Sequence, residues 1–165
     1  MEVIHRCCAG LDVHSEDVVA CVRVAKEAQV RREVRRFAAT TTGLFELSDW
    51  LQSAQVTHVA MESTGVFWKP VWHVLEGSFE LILGNAREMR NVPGRKTDVA
   101  DAEWIADLLA HGLIRSSFVP PVAIQELRDL TRARAQLVRE MARHTHRLQK
   151  TLEDANIKLT ETLSN

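Results

Sequence analysis

The chain has 165 residues, of which 45% are apolar and 26% charged, and its formal net charge is −1. This composition is typical of one globular domain with a substantial core and excludes a disordered chain. No apolar run approaches the ~20 residues of a membrane span, and the start lacks the basic and apolar regions of a signal peptide, so we expect a cytoplasmic protein without membrane contacts.

The first forty residues predict three β-strands. Residues 3–13 form the first strand, with a turn at Gly10, and the Val-rich residues 17–25 form the second. Residues 29–38 form a third strand, whose many charges are typical of a sheet edge. The short connections predict an antiparallel meander. The cysteines fall in the first two strands and are expected to be buried thiols: Cys7, Cys8 and Cys21.

Helices and buried strands then alternate. In chain order the pattern predicts a helix with Thr42 as its N-cap, a strand, a helix, a strand, a short helix or loop, and a helix closed by Gly112: residues 42–54, 56–61, 65–75, 79–83, 85–94 and 98–110. Three antiparallel strands followed by alternating helices and strands predict an α/β fold with a mixed sheet of ribonuclease-H-like topology.

Pro120 and Pro121 mark a boundary, and beyond them the pattern is helical to the end of the sequence. Apolar residues recur at heptad a and d positions, interrupted by Arg134 and His144, which predicts a long coiled-coil helix. The apolar positions are Leu127, Leu130, Leu137, Met141, Leu148 and Ala155. We therefore expect two domains, residues 1–118 and 119–165.

Charge is unevenly distributed along the chain. Residues 1–127 carry 13 basic and 17 acidic side chains, whereas residues 128–165 carry 8 basic and 5 acidic ones. The basic excess on the long helix suits either solvated flanks of a coiled coil or a track for a phosphate backbone. Arg95 and Lys96 likewise suit either a phosphate contact or a solvated loop.

Four acids stand at positions that suit metal binding. Asp12 ends the first predicted strand and Glu62 ends the fourth, so neighbouring strands would bring both to one end of the sheet. Asp98 and Asp101 are three residues apart on a helix and share one face. Clustered carboxylates need a compensating charge, and two hard divalent ions about 4 Å apart can stabilise both the attacking and the leaving oxygen of a phosphodiester.

Each of these acids also has a structural interpretation. Asp98 and Asp101 suit a helix-capping pair worth about 1 kcal/mol. Asp12 suits a turn with Ser15, and Glu62 suits a cap of the helix that follows it. The spacing alone leaves both interpretations open.

Three motifs in order carry a family resemblance: GLDVH at residues 10–14, MESTG at 61–65, and KTDVADA at 96–102, followed by Ile105 and Ala106. Their combination closely resembles the DEDD transposases of the IS110 type. These are bacterial insertion-sequence recombinases with a RuvC-like N-terminal domain. The resemblance runs from about residue 8 to the end of the sequence.

The resemblance implies a mechanism and a set of partners. Asp12, Glu62, Asp98 and Asp101 match the acidic tetrad that binds Mg²⁺, for which Mn²⁺ is a substitute. The long helix matches a coiled coil that joins subunits into dimers or tetramers. Members bind DNA and are guided by a structured non-coding bridge RNA. The candidate nucleic-acid contacts are Arg95, Lys96, Arg132, Arg139, Arg143 and Arg147.

The family also carries a C-terminal domain with a serine nucleophile. No serine in this sequence suits that role, so we expect an N-terminal fragment that lacks this domain. Two rival functions stay open: a free-standing RuvC-like nuclease such as a junction resolvase, and an RNA- or DNA-binding assembly module that is inactive alone. An actin-like sugar kinase is disfavoured because the chain is too short for two lobes.

Overall fold

A computed structural model of the chain describes residues 2–26, 29–63, 65–91 and 101–158. The chain divides into two compact units, Met1–Phe118 and Val119–Asn165. The predictions for Arg95, Lys96 and Asp98 fall outside the described residues.

The first unit is built on a five-stranded sheet. Its strands are β1 (Cys7–Val13), β2 (Asp17–Lys26), β3 (Gln29–Ala38), β4 (His58–Glu62) and β5 (Glu80–Gly84). The helices of this unit are α1 (Thr41–Ser53), α2 (Trp68–Leu75), α3 (Ala86–Arg90) and α4 (Asp101–Ala110). The second unit contains α5 (Val122–Asp154).

The strand order is β3-β2-β1-β4-β5. β1, β2 and β3 are antiparallel neighbours, whereas β1 pairs with β4, and β4 with β5, in parallel. This mixed sheet with flanking helices is the predicted ribonuclease-H-like, RuvC-like α/β fold. The expected meander is confirmed, and the first and fourth strands are neighbours, as a site containing both Asp12 and Glu62 requires.

Alternating residues of β1 face two different layers. Cys8 is fully buried, and its Sγ donates a hydrogen bond to the backbone oxygen of Ala106 in α4 at 3.6 Å. Ala9 and Leu11 are fully buried on the opposite face. This alternation follows from the two-residue period of a strand and shows that β1 is covered on both sides.

The structure corrects the interpretation of Gly10. Gly10 is not a turn residue: it pairs with Cys21 of β2 and with Ala60 of β4, inside the strand. A Cβ atom at this position would lie 2.3 Å from the backbone oxygen of Ala102 and 2.3 Å from the backbone nitrogen of Ala106. Glycine is therefore required because α4 crosses β1 in backbone contact.

Two predicted helix starts are also wrong. Helix α1 is capped by Thr40 rather than Thr42, because the Thr40 Oγ1 accepts a hydrogen bond from the Gly43 nitrogen at 3.2 Å. Helix α2 begins at Trp68 instead of Gly65, which adopts a positive φ of 62°. A left-handed residue cannot continue a right-handed helix, so the chain turns there before α2 begins.

Two of the three cysteines are buried thiols as predicted. Cys8 and Cys21 are fully buried in the sheet, and burial raises the pKa of both thiols to about 12. Both therefore stay protonated at neutral pH and act as small apolar side chains. Cys7 is only half-buried, and its Sγ donates to the backbone oxygen of Ala54 at 3.3 Å.

The second unit is dominated by one helix. α5 contains 33 residues, which corresponds to about 50 Å of length. The apolar heptad residues form a stripe that is 56–69% exposed: Leu127, Leu130, Leu137, Met141 and Leu148. None of the helices in the described ranges is both long and apolar enough to cross a membrane.

We predict that Gly10→Ala destabilises the chain by about 1–3 kcal/mol, because the new methyl group must push α4 away from β1. Urea unfolding measures the loss. Gly77→Ala is the contrasting variant: its added Cβ has no atom within 4 Å and its cost comes from a φ of 85°, whereas Gly10 has no positive φ and its cost comes from the clash. A Gly10→Ala chain as stable as the wild type would contradict the close contact.

Candidate functional site

Two carboxylates leave the sheet at the same end. The parallel register pairs Cys8 with His58, Gly10 with Ala60, and finally Leu11 with Met61. Asp12 and Glu62 are the next residues of their strands. Because parallel neighbours lie about 4.8 Å apart, the two acids stand side by side.

Both acids also face α4. Cys8 and Ala60 belong to the core cluster that includes Ile105 of α4. Asp12 and Glu62 follow them by an even number of residues and therefore project to the same face of the sheet.

Helix α4 brings a third carboxylate to this end. Cys8 contacts Ala106, whereas Gly10 lies against both Ala102 and Ala106, so α4 runs antiparallel to β1. The N-terminus of α4 consequently points toward the end of β1, and Asp101 is the first residue of the helix. A carboxylate in a first helical turn is stabilised by the helix dipole, by about 0.3–1 kcal/mol at the surface.

The pKa of Asp12 depends on its burial and on its charged neighbours. Burial raises the pKa of the Asp12 carboxyl above its ordinary value. His14 opposes this effect, because its Nε2 lies 3.0 Å from the Asp12 Oδ2, while the negative charges of Asp101 and Glu62 add to it. The three carboxylates therefore share one electrostatic environment, which a cation would stabilise.

The structure can be compared with the structural role predicted for each acid. Helix α2 begins at Trp68, six residues after Glu62, and its N-cap residue Phe67 makes no side-chain capping hydrogen bond. The Asp12 carboxylate hydrogen-bonds to His14 rather than to Ser15. Asp101 lies in the first turn of α4, where its charge favours the helix whether or not it also binds a metal ion.

The described part of the site is not a closed metal cage. Within residues 2–26, 29–63, 65–91 and 101–158, no three His, Cys, Asp or Glu side chains lie close enough together to hold a metal ion. Asp98, the fourth predicted acid, and the neighbouring Arg95 and Lys96 fall outside those ranges. The four candidate arginines of the second unit are all exposed on α5: Arg132, Arg139, Arg143 and Arg147.

Sequence reasoning missed an ion bridge on the same face of the sheet. Arg23 of β2 is only 3% exposed, and its Nε donates to the Asp107 Oδ1 of α4 at 2.7 Å. The Nη2 of Arg32 in β3 donates to both oxygens of Asp107, at 2.9 and 2.8 Å. Two features of the sequence could have indicated this bridge. One is the arginine, Arg23, in a Val-rich strand, and the other is the aspartate, Asp107, in an apolar helix segment.

The sequence model of one protein family, the DEDD transposases of the IS110 type with the description "Transposase", matches residues 9–157. No curated protein matches the chain.

Two solved structures show a distant likeness. The Thermus thermophilus RuvC structure is 13% identical with a TM-score of 0.49, and the match covers 67% of this chain and 99% of that one. The Fowlpox virus resolvase, solved with a substrate Holliday junction DNA, is 9% identical with a TM-score of 0.45, covering 64% and 99%. At this distance neither match carries an inference about activity.

We predict that Asp12→Asn stabilises the metal-free chain at pH 7. The pKa of Asp12 is raised in the folded chain, so folding favours its neutral form. The neutral Asp12 carboxyl makes its full contribution to the stability of the fold below pH 3.8, the ordinary pKa of an aspartate. This contribution is lost as the pH rises through the higher pKa that Asp12 has in the folded chain. The higher melting temperature of the variant should therefore disappear below about pH 4.

Thermal unfolding between pH 3 and 8 measures this effect. Asp49→Asn is the control, because Asp49 is exposed on α1. A loss of melting temperature in Asp12→Asn at pH 7 would show instead that the Asp12 charge holds the fold together.

Proposed function

This chain belongs to the DEDD transposases of the IS110 type, and we propose that it supplies the acidic half of a DNA recombinase active site. In this proposal Asp12, Glu62, Asp98 and Asp101 bind divalent metal and position the scissile phosphate of DNA. The observation that carries the proposal is the convergence of Asp12, Glu62 and the α4 N-terminus at one end of the sheet.

The donor chemistry suits Mg²⁺, with Mn²⁺ as its substitute. Carboxylate oxygens are the protein ligands that Mg²⁺ prefers, and it keeps room for water and phosphate oxygens. When bound at such a site, the metal supplies charge stabilisation to a phosphodiester undergoing displacement. Burial raises the pKa of Asp12 and the negative charges of Asp101 and Glu62 add to this effect, so a cation bound here would stabilise the ionised carboxylate.

We further propose that Arg95 and Lys96 contact the phosphate backbone next to Asp98. Charge-assisted hydrogen bonds from arginine to phosphate fix both position and orientation. Their place in the sequence, two to three residues before Asp98, supports this role.

Helix α5 is proposed to join two copies of the chain. Its exposed apolar stripe follows the a and d positions of a heptad, which is the pattern of a coiled coil. The candidate arginines occupy other heptad positions: Arg132 and Arg139 at f, Arg143 at c and Arg147 at g. One face can therefore pair in a dimer, or in a tetramer built from dimers, while the other contacts the phosphates of DNA or of a structured guide RNA.

The complete reaction extends beyond these residues. In this proposal a bridge RNA selects the target and donor DNA, and a serine nucleophile from outside residues 1–165 forms the covalent link to DNA. The chain would act in the bacterial cytoplasm. Its own contribution is to hold metal and phosphate in place.

We predict that Mg²⁺ or Mn²⁺ at one hundred times its dissociation constant stabilises the wild type by about 2.7 kcal/mol, because the ion binds only the folded chain. Asp12→Asn and Asp98→Asn should lose most of this gain, whereas Asp49→Asn should retain it. Thermal unfolding across a metal titration measures the effect.

The result also separates the rival functions. A wild type that gains nothing from either metal would contradict the metal site and favour an assembly module. Metal-dependent cleavage of branched DNA by residues 1–165 alone would instead favour a free-standing nuclease.

We predict that a double variant, Leu137→Asp with Met141→Asp, converts the oligomer into a monomer, because two buried charges in the seam cost several kcal/mol. Light scattering after size-exclusion chromatography measures the mass. Gln136→Asp with Ala142→Asp adds the same charge at positions outside the a and d seam and should leave the oligomer intact. A wild-type chain that is already monomeric at micromolar concentration would contradict the coiled coil.

A further inference from the structure

Two arginines of the sheet face each other beneath α4. The antiparallel register pairs Arg23 of β2 directly with Arg32 of β3. Like charges placed opposite each other on neighbouring strands repel. The carboxylate of Asp107 in α4 receives hydrogen bonds from both side chains and relieves this repulsion.

The three side chains of this bridge are buried to different extents. The Arg23 side chain is 4% exposed, and its Nη1 is buried without a hydrogen-bond partner among the described residues. The Asp107 side chain is 25% exposed and the Arg32 side chain 39%. A nearly buried guanidinium tolerates little displacement of the carboxylate that it binds, because an unpaired buried charge is costly.

The bridge and Gly10 constrain different motions of α4. The contact at Gly10 sets how closely the helix approaches β1. The two arginines attach Asp107 to β2 and β3, and so oppose sliding and rotation of the helix on the sheet. Asp101 precedes Asp107 by six residues, or about 9 Å along the axis, and a slip of one turn would displace it by about 5.4 Å.

We propose that the Arg23–Asp107–Arg32 bridge is a positioning device for the acidic site. It holds α4 in the register that brings Asp101, the first residue of the helix, to the end of the sheet that carries Asp12 and Glu62. The three bridge residues act through α4 and do not touch metal or DNA. This inference rests on the metal-binding function proposed above.

A matched pair of variants tests the device in the full chain. Arg32→Met removes the Arg32 half of the bridge, leaves Arg23 bound to Asp107, and keeps the apolar stem of the side chain. Arg36→Met is the control, because Arg36 lies on the same strand and the same face, is 72% exposed, and pairs with Asp17 of β2 instead of with α4. Both variants lose one positive charge, so general electrostatic effects cancel.

The first measurement is Mn²⁺ affinity by calorimetric titration. We expect Arg32→Met to weaken binding about tenfold, the lower end of what supporting residues contribute at metal sites. Arg36→Met should bind like the wild type. Arg32→Lys should recover much of the affinity, because one nitrogen of Arg32 makes both hydrogen bonds to Asp107.

The second measurement needs no metal. A double-mutant cycle with Asp12→Asn and Asp101→Asn, by urea unfolding at low ionic strength, gives the repulsion between these two carboxylates. We expect a measurable coupling in the wild type and in Arg36→Met, and a smaller one in Arg32→Met, where α4 has lost one of its two arginine attachments to the sheet.

Together, the two measurements distinguish a failure of the positioning role from a failure of the proposed metal-binding function. Unchanged Mn²⁺ affinity and unchanged coupling in Arg32→Met would overturn the positioning role and leave a bridge that only stabilises the fold. If the wild type binds no Mn²⁺, the proposed function fails. The coupling then decides the positioning role by itself, because a decrease in Arg32→Met but not in Arg36→Met supports the role, and an unchanged coupling in Arg32→Met overturns it.

Discussion

The contact between Gly10 and the backbone of α4 is the constraint on which the site depends. A helix can approach a strand to backbone distance only where the strand has no side chain, and Gly10 provides that opening in the middle of β1. Two residues later the same face of the strand carries Asp12. The close crossing therefore fixes α4 within reach of Asp12 and aims its N-terminus, with Asp101, at the end of the sheet.

The acidic site and the ion bridge have opposite electrostatic characters on one face of the sheet. At one end, burial raises the pKa of Asp12, and the negative charges of Asp101 and Glu62 add to this effect. Further along α4, Asp107 joins two arginines that would otherwise repel each other. The carboxylates of α4 thus serve two purposes: Asp107 holds the helix in place, and Asp101 belongs to the end where a cation would offset the repulsion.

Much of this architecture could be predicted from the sequence, because alternation and helical spacing are local signals. The three-strand meander and the long α5 follow from such patterns, whereas the pairing of β1 with β4 rested on the ribonuclease-H-like topology that the order of elements predicts. The role of Gly10 could not be predicted, since a glycine in a strand suits a turn as well as a close contact. The Arg23–Asp107 pair spans 84 residues of sequence, and only the folded topology brings the two together.

Diffraction from crystals grown with Mn²⁺, recorded to reveal the anomalous signal of the metal, tests the central claim most directly. We predict an anomalous peak at the end of β1, about 2.1 Å from carboxylate oxygens of Asp12 and of at least one of Glu62, Asp98 and Asp101. The peak should be absent from crystals of Asp12→Asn. A peak located only elsewhere on the chain, or none at saturating Mn²⁺, would contradict a metal site built where α4 crosses β1.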